Sequence, residues 1–288
     1  MNALTSTVDS LSGWIGTREE REDVATSFEP RALAALLNQS EPPTALGDKL
    51  APANHWLYFL PVSRQNELSS DGHPARGGFL PPVELPRRMW AGGHLEFIRP
   101  IRVGDMLRRT SEIADIDVKQ GRTGPLVFVK VSHQVFASGE PAVLERQDIV
   151  YRDAAGTAAV PRLDAPLETS PHEVQVALSE SMLFRYSALT FNAHRIHYDR
   201  PYAELKEGYP GLVVHGPLQA TLLMALAADL NPDATLRQFS FRGQQPLFLE
   251  PQLTLCMRPT AVHGCFELHV LDGRRQVTMT AEARFDVG

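Results

Sequence analysis

Cysteine is scarce in this chain: 288 residues contain two, Cys256 and Cys265. A secreted domain stapled by disulfides needs more, so the chain is expected in a reducing compartment, the cytoplasm. The spacing of the pair fits no zinc pattern, and its place in alternating apolar stretches predicts buried structural thiols. Long apolar runs are also missing. No stretch reaches the about 18 apolar residues of a membrane-spanning helix, so no membrane association is expected. The longest apolar helix-like segment, Leu218 to Leu230, contains Gln219, Thr221 and Asp229 and reads as a core helix. The start of the chain lacks the basic residues and apolar core of a signal peptide. Positive charge is short as well. Lys and Arg number 28 against 34 Asp and Glu, a net charge of -6, with no Lys/Arg-rich run. That balance argues against nucleic acid as a partner. Single arginines remain available to a phosphorylated small molecule.

What the chain does have is enough apolar material, 43%, for one large core or two modest ones. Residues 1 to 25 are polar and are expected on the surface. Phe28 to Leu37 reads as a short helix, with Ala32, Leu33, Leu36 and Leu37 at helical spacing. Asn54 to Pro61 is rich in aromatics. A loop rich in Ser, Gly and Pro covers residues 62 to 82, a length that usually means function or mobility. Strands are predicted at His94 to Ile101, Asp105 to Asp117, Leu126 to Ala137 and Val143 to Tyr151, with turns at Gly104-Asp105, Gln120 to Pro125 and Ser138-Gly139. Asp153 to Pro171 reads as a linker. Beyond it come a polar segment, a helix from Gly216, and β-rich runs at Thr235 to Phe241, Pro251 to Arg258, Cys265 to Leu271 and Gln276 to Phe285.

The order therefore repeats, weakly. Phe97-Ile98-Arg99-Pro100 in the first half and Phe239-Ser240-Phe241-Arg242 in the second precede their strands. Helical or irregular sequence followed by antiparallel strands implies an α+β unit in which a sheet wraps one helix. We expect two such units with a cleft between them, residues 1–152 and 173–288, joined by a linker at 153–172.

Chemistry concentrates between Tyr186 and Asp199, which supply Ser187, Thr190, Asn192, His194, Arg195 and His197. The segment fits neither a regular strand nor a regular helix. His194 and His197, three apart, would share one face of a helical turn. A polar loop with surface histidines would explain one of them; a cluster beside an apolar helix points to a site. No nearby carboxylate has a known metalloenzyme spacing, so no metal is expected. His215-Gly216-Pro217 then opens the apolar helix. Gly lets a ligand approach the backbone, and Pro suits an early helical position. The first helical amides have no internal partner and lie at the positive end of the dipole, where they can hold an oxygen that gains negative charge.

Asn192-Ala193-His194-Arg195-Ile196-His197, with Gly216 downstream, resembles a variant of the hydratase motif of the MaoC-like, (R)-specific enoyl-CoA hydratases, Gly-Asp-x-Asn-Pro-Ile-His. The motif His falls on His197, its Asp on Asn192, and its Asn and Pro on His194 and Arg195. Leu85 to Gly93, Gly121 to Val129 and Glu145 to Tyr151 resemble the mesaconyl-C4-CoA and itaconyl-CoA hydratase branch, which includes mitochondrial 3-hydroxyacyl-thioester dehydratase 2. Together the matches cover most of residues 85 to 245.

The resemblance implies a double hot-dog fold, two antiparallel sheets each wrapped around a central helix, with the catalytic motif lost from the first unit. It implies an acyl-CoA thioester substrate, no cofactor, and a hydro-lyase that acts on mesaconyl-C4-CoA or itaconyl-CoA to give citramalyl-CoA. The rivals are a (3R)-3-hydroxyacyl-thioester dehydratase of plain acyl chains, a hot-dog thioesterase, and a non-catalytic acyl-CoA-binding subunit. His197 is the expected base, with His194 behind it. Asn192 orients the water, since an amide only donates and accepts hydrogen bonds. Gly216 holds the enolate. His194, Arg195, His215 and Arg242 are the expected substrate contacts. For Arg195 a salt bridge to Asp199 competes with reading an anion. A homodimer or higher homo-oligomer is expected, because fused units already imitate a dimer.

Overall fold

The computed structural model describes residues 11–121, 124–153 and 167–286. The first half contains β1 (Arg18–Val24), α1 (Phe28–Leu36), β2 (Arg87–Phe97), β3 (Met106–Gly121), β4 (Gly124–Ala137) and β5 (Glu140–Arg152). The second contains β6 (His172–Ala177), α2 (Glu180–Leu189), α3 (Arg200–Leu205), α4 (Gly216–Asp229), β7 (Thr235–Gly243), β8 (Gln252–Pro259), β9 (Cys265–Leu271) and β10 (Val277–Asp286). Most of the expected linker, residues 154–166, lies outside the described residues, as do residues 122–123 of the expected Gln120 to Pro125 turn.

The ten strands form a single antiparallel sheet in the order β1-β3-β4-β5-β2-β7-β10-β9-β8-β6. Read inward from either edge, the two halves have the same order. This is the double hot-dog implied by the sequence, with its two sheets fused edge to edge. The joint is β2 on β7, where Gly93 faces Phe241, His94 faces Ser240 and Leu95 faces Phe239. The weak sequence repeat thus reflects equivalent strands, although Phe97 ends β2 while Phe239 lies within β7.

The second half wraps its sheet around α4, which packs on β7, β8, β9, β10 and β2. The helix is apolar nearly all round, as a fully enclosed helix must be. Its buried polar groups are paired: Gln219 Oε1 accepts from Thr278 Oγ1 at 2.9 Å, and Thr221 Oγ1 donates to the Pro217 carbonyl at 2.8 Å. The first half differs from the expectation of a central helix in each unit. Between α1 and β2 the described elements are the 3-10 turns Asn54–Leu57 and Gln65–Glu67. Pro61, Pro74, Pro81 and Pro82, with Gly72, Gly77 and Gly78 among them, cannot continue a helix. A buried cluster fills the space, including Leu57, Tyr58 and Phe59, continuous with Leu95, Phe239, Leu218 and Leu223.

The edge strands were read as polar surface, for β1, and as a polar segment after the linker, for β6. β1 is Arg-Glu-Glu-Arg-Glu-Asp-Val, a charge run with no apolar alternation. Cross-strand pairing explains it: Arg18 meets Glu112 at 2.7 Å and Glu20 meets Arg108 at 3.0 Å on β3. Charges on an edge strand also discourage pairing with another chain. β6 closes the opposite edge, with Glu173 paired to Arg275 at 2.8 Å. Cys256 is buried as expected, while Cys265 is partly exposed. No helix among the described residues is long and apolar enough to cross a membrane.

The joint demands glycine. A Cβ at Gly92 would lie 2.6 Å from the Phe241 carbonyl oxygen, whereas one at Gly78 would meet nothing within 4 Å. Gly92→Ala is therefore expected to cost about 1–3 kcal/mol through forced backbone movement. Thermal unfolding should show its Tm falling by several degrees, with Gly78→Ala close to wild type.

Candidate active site

The polar segment is the end of one helix and the start of another. Ser179 caps α2 by accepting the Met182 amide, a signal for this helix that the sequence reading overlooked. After α2 the Asn192 side chain accepts the His194 amide at 3.0 Å, and the Asn192 amide donates to the Ser187 carbonyl at 2.8 Å. A 3-10 turn, Arg195–His197, follows, and Asp199 caps α3 by accepting the Tyr202 amide. The irregular reading holds from Thr190 to His194, while Tyr186 to Leu189 are the last turn of α2.

His197 is buried at 7% exposure. Its Nδ1–H donates to the Val213 carbonyl at 2.7 Å, which leaves the Nε2 lone pair as the basic position. Burial, which penalises the imidazolium, brings its pKa down to about 4 against the pull of that hydrogen bond. The ring stacks on His215, with centroids 3.6 Å apart. His215 Nε2 is hydrogen-bonded to Ser187 Oγ at 2.8 Å, and its own pKa is pushed well down by burial and the neighbouring histidines. His194 stands edge-on to His197 at 5.4 Å. Burial and the nearby His73 and His197 hold its pKa lower still, at about 2.

A cavity of about 1740 Å3 runs across both halves. Asn192, His194, His197 and Gly216 all line it, with Gly216 at the N-terminus of α4. Three expected substrate contacts lie elsewhere. His215 sits behind His197 and is 1% exposed. Arg195 donates from Nε and Nη2 to Asp199 Oδ2 at 2.9 and 2.7 Å, and its guanidinium lies 4.1 Å from the centre of the Tyr202 ring. Of the two readings open for Arg195, the structure shows the salt bridge to Asp199. Arg242 is exposed on β7 and does not line the cavity. On β2, Arg88 lines the cavity, while its neighbour Arg87 pairs with Glu207 at 3.2 Å.

The first half supplies residues that the sequence reading did not assign. His73, from the long loop, packs on His194 with ring centroids 4.0 Å apart, and its Nδ1–H donates to Asp71 Oδ2 at 2.9 Å. Deeper in the same half, Glu145 accepts from His55 at 3.2 Å, Trp56 at 3.0 Å and Gln147 at 2.9 Å. Burial alone would raise this carboxyl, but the His55 hydrogen bond and the nearby His55 and His133 outweigh it, lowering the pKa to about 2. Glu145 and His55 thus form a buried pair in the first-half wall of the cavity. Among the described residues one group could hold a metal ion: Asp71, His73 and His194, whose ligand atoms lie within 4.8 Å of one another. Only the fold brings Asp71 to His194, so no local spacing could signal it.

Solved structures share this architecture. A MaoC-like dehydratase from Phytophthora capsici is 13% identical, with a TM-score of 0.67 and 97% of each chain covered. HtdX from Mycobacterium tuberculosis is 16% identical, with a TM-score of 0.66 over 93% of this chain and 99% of that one. At the level of sequence, the mesaconyl-C(4)-CoA hydratase of Chloroflexus aurantiacus is 45% identical over 273 residues, 93% of this chain and 96% of the relative. The mitochondrial hydroxyacyl-thioester dehydratase type 2 of Schizosaccharomyces pombe is 27% identical over 239 residues, 73% of this chain and 78% of the relative. Residues 53–249 match the family model for hydroxyacyl-thioester dehydratase type 2, and with the site and fold described above, the chain belongs to that family.

Proposed function

We propose that this protein is an acyl-CoA hydratase that adds water reversibly to an enoyl-CoA, with mesaconyl-C4-CoA or itaconyl-CoA as substrate and citramalyl-CoA as product. The observation that carries the chemistry is His197. Its Nδ1–H is committed to the Val213 carbonyl, its ring borders the cavity, and the opening residue of α4, Gly216, borders the same space. A neutral imidazole of fixed tautomer takes a proton from water. The hydroxyl adds to the β-carbon. The first amides of α4, unpaired within the helix, stabilise the thioester oxygen as it becomes an enolate. Return of the proton to the α-carbon completes hydration.

The choice of acyl group leans on the 45% identical relative named as a mesaconyl-C(4)-CoA hydratase. Arg88 and Arg76, which line the cavity near His73, are cations suited to a second carboxylate on the acyl chain. Comparing rates on mesaconyl-C4-CoA, itaconyl-CoA and crotonyl-CoA by loss of the enoyl-thioester absorbance tests the reading. Turnover of the first two well above crotonyl-CoA is expected. No loss of absorbance with any of them overturns it, and release of free CoA thiol would make the protein a thioesterase.

His197→Ala is expected to lower kcat on the order of 10²–10⁴-fold while titration with a saturated acyl-CoA shows little change in binding. The base works in its neutral form, and burial extends that form down to about pH 4. The profile of kcat/KM should therefore stay level on the acid side through pH 6.5 and fall only as the pH approaches about 4. An acid limb at the ordinary histidine pKa of about 6.5 would assign the base to another group.

A further inference from the structure

The hydratase motif places an aspartate where this chain has Asn192. The amide cannot take a proton, and its oxygen already accepts the His194 amide. A carboxylate comes near the same turn from the other half of the molecule: an Asp71 oxygen lies within 4.8 Å of ring nitrogens of His73 and His194. Asp71 accepts the His73 backbone amide at 3.0 Å through Oδ1 and the His73 ring at 2.9 Å through Oδ2. Both the main chain and the ring of His73 are thus fixed by one carboxylate. Because Nδ1 donates to Asp71, Nε2 is left as a hydrogen-bond acceptor. His73, His194 and His197 border the same cavity.

The loop that carries this pair is fitted to the catalytic turn. Gly72 has φ +90°, and a Cβ there would collide with the Ala193 carbonyl oxygen. Any other residue is excluded by both the backbone and the contact. The Arg195 amide donates to the Asp71 carbonyl at 2.9 Å, and Arg195 Nη1 donates to the Ser70 carbonyl at 3.0 Å. Arg195 thus holds the loop and Asp199 together. These contacts join residues more than a hundred positions apart and set the His73 ring against His194.

We propose that His73, oriented by Asp71, is a catalytic residue: its Nε2 holds the attacking water opposite His197. The proposal rests on the hydratase reading above. One water hydrogen is bonded to His73 and stays on oxygen to become the hydrogen of the product hydroxyl. The other goes to His197 Nε2 as the O–H bond breaks and the C–O bond forms at the β-carbon. The π pair moves to the thioester oxygen. The His197 proton then passes to the α-carbon as the carbonyl re-forms, so both histidines end neutral. Asp71 is a positioning residue, as the carboxylate is in any histidine–carboxylate pair that fixes a tautomer.

The test is the steady-state hydration rate of the wild type, His73→Ala, His73→Gln and Asp71→Asn. His73→Ala and Asp71→Asn should each lower kcat on the order of 10²-fold, with KM within a few-fold of wild type. His73→Gln, whose amide oxygen still accepts a hydrogen bond, should retain more rate than His73→Ala. Added imidazole should restore part of the rate of His73→Ala and none to Asp71→Asn, a response that a merely structural loss would not give. If His73→Ala does not fold, Asp71→Asn and His73→Gln carry the comparison. An active wild type with His73→Ala within threefold of its kcat overturns the role of His73 alone. A wild type inert on every enoyl-CoA overturns it together with the hydratase reading. Turnover abolished by a chelator and restored by zinc would make Asp71, His73 and His194 metal ligands and overturn the water-holding role.

Discussion

The pairing of β2 with β7 is the constraint on which the rest of the molecule depends. It turns two five-stranded halves into one sheet and fixes where one half can reach the other. Hydrogen bonds alone do not set that joint. Gly92 and Gly93 must be bare, because Phe241 presses on both. Trp90 and Trp56 then pack around Phe241, with ring centroids 5.7 and 6.0 Å from it. Close backbone approach on one side and aromatic bulk on the other give the seam a single register.

From that seam the two halves take different parts. A helix could fill the first half as α4 fills the second, but the chain between α1 and β2 is broken by proline and glycine. What it loses in regular structure it gains in reach. The loop crosses to the other half and sets Asp71, Gly72 and His73 on the turn at Ala193 to Arg195. The energetic logic is ordinary. An irregular segment must satisfy its backbone groups, and the donors and acceptors of the neighbouring turn are available to do so. The Arg195 amide and guanidinium are both used this way.

Much of this was legible in the sequence, and the omissions have physical causes. The long strands and α4 were readable because alternation and continuous apolar sequence follow directly from burial. The positions of His197 and Gly216 followed from the motif. β1 was missed because a charged edge strand carries no apolar period; its pairing signal lies in Glu112 and Arg108, on another strand. Arg195 left two readings open, and the i,i+4 carboxylate at Asp199 decided between them. His215 looked like a substrate contact because it adjoins Gly216, yet the N-cap geometry that starts α4 turns it behind His197. His73 was hidden for the opposite reason: it lies in a loop far from the motif in sequence, and no local pattern distinguishes a docked loop from a free one.

The distribution of charge sets a second histidine apart from a carboxylate placed directly at 192. His197 is already desolvated, and its neutrality depends on the low polarity around it. A bare carboxylate beside it would stabilise the imidazolium and raise its pKa. Asp71 avoids this by spending its charge on the far nitrogen of His73. What faces the water is then a neutral acceptor, backed by an anion one ring further away. The cost is that the acceptor must come from another part of the chain, and its placement is only as good as the contact between the loop and the turn. Gly72 and Arg195 secure that contact. On this view the asymmetry of the two halves has a chemical purpose: the half that shows no central helix among the described residues provides the segment that completes the site of the half that has one.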